Sequence, residues 1–426
     1  MSAAAVPLSE KSIVTTKVNW KMPVSYGILT LLGMLLFVIL VPSGAETRFQ
    51  LTTGADAVQI PGFTLPARTT GIVVTAILGA LTLVSYRDAL ARRRSGWWLP
   101  VTFGILFVFG FLLFAGAGSA GFIPLTTLLA GGLALSVPLI FGAMCGLVGE
   151  RAGIVNIAIE GQLLLGAFFA AVAASLAQNP YVGLLAAPIA GALVGALLVF
   201  FAVKYWVDQI IIGVVLNVLV VGLTNFLYST VLTQNATMWN ARQRLPNLAI
   251  PLLSDIPIIG RVLFNQNILV YAMYVVVALL TVYVFRSRWG LRLRAVGEHP
   301  KAADTVGINV NRTRVRNTIM AGMIAGLGGA FFTVGSGLAF GKEMSAGQGF
   351  IALAAMILGK WHPIGALGAA LLFGFSRNLA NLLSTLGARV PSEILLMLPY
   401  IITILAVAGF VGRVRAPAAE NIPYKK

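Results

Sequence analysis

The residues of this chain that could do chemistry are few and scattered. Among 426 residues there are 13 Asp and Glu, two His and one Cys. The stretch SGLAFGKE at 336–343 comes near a phosphate-binding loop, but Ser336 stands where the first Gly is needed. Glu343 stands where Ser or Thr would meet magnesium, and no strand precedes the motif. No ATP site is expected there. His299 and His362 have no Cys or acidic cluster at ligand spacing, which argues against a metal. No Ser or Cys is grouped with a His and an acid as a nucleophile and its base would be. Cys145 cannot form an internal disulfide and reads as a small core residue. Neither a catalytic activity nor a cofactor is expected.

What remains is polar chemistry placed inside apolar text. GERAGIVNIAIEGQ (149–162) interrupts one half of the chain, and GKEMSAGQG (341–349) with GKWHP (359–363) interrupts the other. Isolated charges and broken helices at membrane depth are tolerated where they are buried in protein or line a cavity. Paired interruptions point to a pathway between the halves. The candidate translocation path is therefore Asn156, Glu160, Gln162, Asn217 and Asn225. Asn217 and Asn225, eight apart, fall on one face of one helix. Competing readings stay open: Glu150 and Arg151 as helix caps, Glu160 as an acceptor for backbone amides, and the asparagines as interhelical hydrogen bonds.

The elements that must position these residues are spanning helices. The chain is 58% hydrophobic and 10% charged, whereas a soluble domain has about a quarter of its residues charged. The expected fold is all-α, a polytopic membrane protein of about 10–12 passes with some helices short or broken. Passes are read at 24–41, 71–86, 97–118, 125–148, 163–177, 182–203, 210–228, 268–285, 317–340, 350–358, 364–375 and 394–411. The first run lacks a small-residue cleavage site and reads as an anchor. Loop 43–70 lies outside, and its pieces RFQLTT and GFTLPA are placed as a small hairpin. Loop 229–266 also lies outside and shows no helical period. The tails, 1–22 and 413–426, are cytoplasmic. Most of the 30 Lys and Arg fall on segments assigned to the inside, as orientation requires. The net charge of +17 is thus spread over short loops, and no nucleic-acid partner is expected. Membrane lipid is the expected surround. Gly142/Gly146, Gly191/Gly195 and Gly322/Gly326 would let helices approach closely.

The longest polar run is 286–316, RSRWGLRLRAVGEHPKAADTVGINVNRTRVR, with eight Lys or Arg. It is too long for a simple turn and suits contact with something in the cytoplasm. GERAGIVNIAIEGQLLLGA, VDQIIIGVVLNVL, GLRLRAVGEHPKAADTVGINV and GFIALAAMILGKWHPIGALGAALLFG together resemble the permease subunits of bacterial ABC importers. The group includes ribose-type sugar and branched-chain amino acid permeases, and the nucleoside-importing branch is nearest. The resemblance covers about 130–412. It implies a permease core over 121–412, with 23–120 as additional N-terminal spans. It also implies a separate ABC ATPase, a second and related permease subunit, an extracellular substrate-binding lipoprotein, and a small polar solute, most simply a nucleoside. Ribose-like sugars, or an ion-driven transporter, are the alternatives. The implied location is a bacterial cytoplasmic membrane. The family's ATPase-coupling mark, E-A-A-x-x-x-G, falls on Lys301, Ala302, Ala303 and Gly307. Lys301 replaces the Glu, and Glu298, after Gly297, is the nearby acid. Pro300 suits a helix start and Gly307 a helix end.

Overall fold

The computed structural model describes residues 20–52, 54, 58–93, 95–96, 98–119, 121–385, 397 and 415–425. The pass expected at 394–411 lies outside the described residues, apart from Met397, as do Trp97 and most of the N-terminal tail. Among the described residues ten helices are long and apolar enough to cross a membrane, as the composition requires.

Of the described residues, those within 1–47 and 64–120 make one compact unit, and those within 48–63, 121–407 and 411–426 make another. The first unit holds α1 (Lys21–Met34), α2 (Ala67–Leu90) and α3 (Trp98–Gly116), with a π-helical turn, Leu35–Ile39, extending α1. Tyr26 stacks on Phe103 with ring centres 4.4 Å apart, and the Thr30 and Thr82 hydroxyls meet at 2.9 Å. Apolar helices lack a hydrophobic drive to associate in lipid, so such ring and hydroxyl contacts supply the specificity.

The second unit carries α4 (Leu125–Arg151), α5 (Ile159–Ala177), α6 (Pro180–Val199), α7 (Gln209–Leu227), α8 (Ala236–Trp239), α9 (Ile259–Leu263) and α10 (Ile268–Arg286). Then come α11 (Arg288–Glu298), α12 (Pro300–Thr305), α13 (Val310–Ala330), α14 (Gln348–Leu358) and α15 (Pro363–Thr385). Its core is α4, α5 and α13, each buried around much of its circumference. The glycine pairs do place backbones together. A Cβ on Gly191 would strike the carbonyl of Gly322, and one on Gly326 the carbonyl of Ala187. Gly142 and Gly146 receive Ala352 and Met356 of α14.

Strand β1 (Glu46–Gln50) neighbours β2 (Phe63–Pro66), as expected for the 43–70 loop. It also pairs in parallel with β3 (Ile123–Pro124), Phe49 opposite Ile123, a long-range pairing that the local text does not announce.

Three boundaries differ from expectation. Segment 286–316 holds the short helix expected between Pro300 and Gly307, as α12, but α11 precedes it and α13 already begins at Val310, so little of it is loop. The reason is capping. Ser287, His299 and Asn309 each accept a backbone N–H at the start of the next helix, so polar text is made helical. Helix α5 starts at Ile159, which puts Glu160 and Gln162 on its first turn and not in an interruption. Loop 229–266 holds α8, α9 and a hairpin of β4 (Asn247–Ala249) and β5 (Asn265–Asn267), Leu248 opposite Gln266.

Candidate functional site

The polar residues of the membrane interior assemble around the turn 152–158, which joins α4 to α5 and is buried almost throughout. Asn156 Nδ2 donates to Gln162 Oε1 and to Cys145 Sγ, each at 3.1 Å, and the Cys145 thiol donates to the same Gln162 oxygen at 3.1 Å. Gln209 Oε1 accepts the Val155 amide at 2.7 Å. Asn217, on α7, closes the far side: its Oδ1 accepts the Gly161 N–H at 2.8 Å and its Nδ2 donates to the Ile157 carbonyl at 2.9 Å. Non-helical backbone at membrane depth must find partners within the protein, and these side chains are the partners.

Glu160 does the same for the second interruption. Its carboxylate accepts Ser345 Oγ at 2.6 Å, the Gly347 N–H at 2.8 Å and the Gly349 N–H at 2.6 Å. It stands on the first turn of α5, where the helix dipole favours negative charge. The two interruptions are therefore one structure, with α5 and α14 meeting end to end at Glu160. Asn225 lies further along α7 and donates from Nδ2 to Glu343 Oε1 at 3.1 Å. Four of the five candidate path residues, all but Asn225, are buried.

The C-terminal ends of α4 and α14 are tied together. Glu150 Oε2 accepts the Trp361 indole N–H at 2.6 Å, and Arg151 donates to the Trp361 carbonyl from Nη2 at 3.0 Å. Glu150 and Arg151 thus hold the GKWHP turn, where Lys360 and Trp361 both adopt left-handed backbone, φ +58° and +52°. His362, stacked on the Phe285 ring at 4.7 Å, has its pKa lowered by burial and then by Arg151.

The coupling residues divide between two roles. Gly297 faces inward; a Cβ there would strike the Arg151 carbonyl. Glu298 lies 4.0 Å from Arg151 Nη1 and accepts the Ala418 N–H at 3.4 Å. Ala303 is buried with Val296, Val310 and Tyr424. Lys301, Ala302 and Gly307 are exposed. Gly307 has φ +83°, open space around its Cα, and ends α12. The arrangement presents α12 as a short, largely exposed helix on a packed base.

Residues 415–425 were read as a plain polar tail, and their docking is the feature missed. Arg314, 1% exposed, donates to the carbonyls of Ile422 at 2.9 Å and Ala419 at 3.4 Å. The Ala419 N–H reaches the Gly297 carbonyl at 2.9 Å. Asn421 donates to Asp208 and accepts the Gln209 N–H, and Lys425 sits 4.5 Å from the Trp206 ring centre. The available signal is two prolines, Pro417 and Pro423, with an Asn and a Tyr in so short a tail. Asp208, fully exposed, has its carboxyl pKa lowered by the Asn421 side chain first and then by the Ile211 amide.

Glu420 has the opposite balance. Burial raises its carboxyl pKa, and its Oε2 has no hydrogen-bond partner. A raised folded pKa means that docking is stabilised below the ordinary carboxylate range and loses that contribution as pH rises towards the folded value. Glu420→Gln is therefore expected to hold the tail more tightly at pH 7 and to flatten the pH dependence. Hydrogen exchange of residues 415–425 between pH 5 and 8 measures this; faster exchange in the variant at pH 7 would contradict it.

Buried polar turns thus meet within a bundle of helices long and apolar enough to span a membrane, the frame expected of a permease. The chain belongs to the family described as the branched-chain amino acid transport system permease component, which matches residues 128–407. It is 40% identical over 307 residues to the guanosine ABC transporter permease protein NupQ of Bacillus subtilis, covering 69% of this chain and 95% of that protein. It is 40% identical over 311 residues to the nucleoside ABC transporter permease protein NupC of Lactococcus lactis, covering 71% and 98%. The guanosine permease protein NupP of Bacillus subtilis is 27% identical over 287 residues, 65% of this chain and 80% of that protein. No solved structure matches. The chain is a multi-pass transport subunit and not an enzyme.

Proposed function

We propose that this chain is a permease subunit of an ATP-driven nucleoside importer in a bacterial cytoplasmic membrane. The observation that carries the reading is the 40% identity to two permeases named for guanosine and nucleosides, over nearly the whole length of each. An ABC ATPase chain binds beneath, and a lipoprotein receptor delivers the solute outside. A second, related permease completes the pore. Similarity to both NupP and NupQ of one organism supports a partner of related sequence. The permease core is 121–412, and 23–120 is an addition to it.

The ATPase engages α12 through Lys301, Ala302 and the Gly307 end. Its motion reaches the spans through Gly297, Glu298 and Ala303, which touch α4, the docked tail and the base of α13. ATP and solute drive the cycle only through different affinities for the outward-open and inward-open states. Asn225 faces the path. Asn156, Glu160, Gln162 and Asn217 shape its wall by holding the two turns.

The test is uptake of radiolabelled nucleosides and ribose by cells with and without the gene, and with Gly307→Trp. A Cβ at Gly307 meets nothing within 4 Å, so the cost to the fold is a left-handed backbone penalty of about 1–2 kcal/mol. Deletion is expected to abolish nucleoside uptake and leave ribose entry unchanged. Gly307→Trp is expected to cut nucleoside uptake at least tenfold with the chain still in the membrane. Normal uptake by that variant would remove α12 from the ATPase contact. Gene-dependent entry of ribose alone would replace the substrate.

A further inference from the structure

We propose that Glu343 and Asn225 form a hydroxyl-recognising site on the outer half of the path, fitted to the vicinal diol of a ribose, with Tyr228 as a neighbouring aromatic wall. This deepens the nucleoside reading and rests on it.

The face of α7 that carries Asn217 also carries Asn225 and, at the start of the π-helical turn Tyr228–Leu232, Tyr228. Asn217 has both ends of its amide engaged with the 157–161 backbone. Asn225 does not: Nδ2 donates to Glu343, but Oδ1 is enclosed with no donor. An enclosed acceptor without a partner costs free energy, and a hydroxyl arriving beside Glu343 would supply the donor after a small rotation of the amide. Glu343 itself is exposed, and among the described residues its Oε2 receives no hydrogen bond.

Position makes this carboxylate available. Asn225 lies sixteen residues beyond Gln209, about 24 Å along α7 and close to its C-terminal end, so the exposed Glu343 carboxylate is open to water and to a solute.

The backbone points the same way. Glu343 and Ala346 adopt φ +51° and +46° without being glycine, and such strain gathers where a side chain must be aimed. The segment has no need of the Glu343 contact for anchorage. Glu160 already holds Ser345, Gly347 and Gly349, and Asn240 brackets Phe340 with two hydrogen bonds of 3.0 and 2.8 Å.

A carboxylate is an acceptor-only group with two oxygens. It suits two hydroxyls on adjacent carbons, as an acidic side chain meets ribose in dinucleotide sites. Beside it, Tyr228 lies 6.3 Å from the Phe340 ring, and Phe340 meets Phe168 edge-on at 5.2 Å. Lys342 sits 5.7 Å from the Tyr228 ring centre. The site therefore offers acceptors for a diol close to Tyr228, whose ring carries the Lys342 ammonium.

The experiment measures KM for tritiated uridine and 2′,3′-dideoxyuridine in cells carrying the complete importer, wild type and Glu343→Gln, with the chain quantified in the membrane. The wild type is expected to prefer uridine by at least tenfold, the value of one hydrogen bond to a charged group. Glu343→Gln is expected to raise the uridine KM about tenfold or more and leave the dideoxyuridine KM unchanged, so the preference collapses. Asn225→Ala moves the ratio the same way by a smaller factor. Three results overturn the inference: a wild type indifferent to the diol, a variant with the wild-type ratio, or equal loss of both substrates, which makes Glu343 structural. In all three the nucleoside reading stands. If neither nucleoside enters in a gene-dependent way, that reading fails and takes the diol site with it.

Discussion

Glu160→Ala is expected to destabilise the permease core by roughly 3–6 kcal/mol, enough to deplete the folded chain from the membrane. The variant removes the acceptor of two backbone N–H groups, those of Gly347 and Gly349, and of the Ser345 hydroxyl. Each buried donor left without a partner costs about 1–3 kcal/mol; the Ser345 and Gly349 donors are buried and the Gly347 N–H is partly so. Gly349 aggravates the loss, because α14 packs so closely on α5 that its Cα faces the Glu160 backbone. Ser345→Ala, which deletes one donor together with its bond, should cost only about 1 kcal/mol. Thermal unfolding in detergent separates the outcomes: a midpoint several degrees lower for Glu160→Ala and nearly unchanged for Ser345→Ala. A Glu160→Ala chain with normal stability and no transport would instead put the carboxylate in contact with the solute.

Arg314→Leu is expected to release residues 415–425 and to lower nucleoside uptake tenfold or more while the chain remains in the membrane. The guanidinium forks between two carbonyls of the tail, Ala419 and Ile422, and a Cβ added to Gly153 would come within 2.8 Å of its Nη2. Hydrogen bonds to a charged donor contribute about 1.5–3 kcal/mol each. Without them the tail keeps the contacts of Asn421, Tyr424 and Lys425, the Ala418 N–H on Glu298 and the Ala419 N–H on Gly297. The tail bonds the Gly297 carbonyl and Glu298, and Tyr424 packs on Ala303, so its loss loosens the base of α12. Arg314→Lys keeps the charge but cannot serve both carbonyls with one planar fork, and should fall between the two. Limited proteolysis reads the release and uptake reads the coupling. A cleaved tail with full uptake would show that docking and coupling are independent.

Asn225 and Asn217 illustrate how much of the site was legible. Their spacing of eight placed them on one face, and the structure keeps them there. Which one is saturated and which keeps an empty acceptor depended on what packs against each turn, and no local pattern carries that. Glu343 stands out in the sequence as a misfit in a failed nucleotide motif and as one charge of the interruption at 341–349. Its left-handed backbone and its partner 118 positions earlier in the chain arise from the meeting of α7 with the 341–347 segment.

The sequence by itself determined the membrane habit, most of the spanning helices and the family, because hydrophobicity and motif order are local properties of the chain. It also marked the polar interruptions. Only the tertiary structure decided that the two interruptions are joined through Glu160 and that the tail is strapped down by Arg314. The physical reason is common to both. A polar group inside a membrane protein needs a partner, and the chain distance to that partner, 185 residues for Glu160 and Ser345 and 108 for Arg314 and Ile422, leaves no trace in the residues next to it.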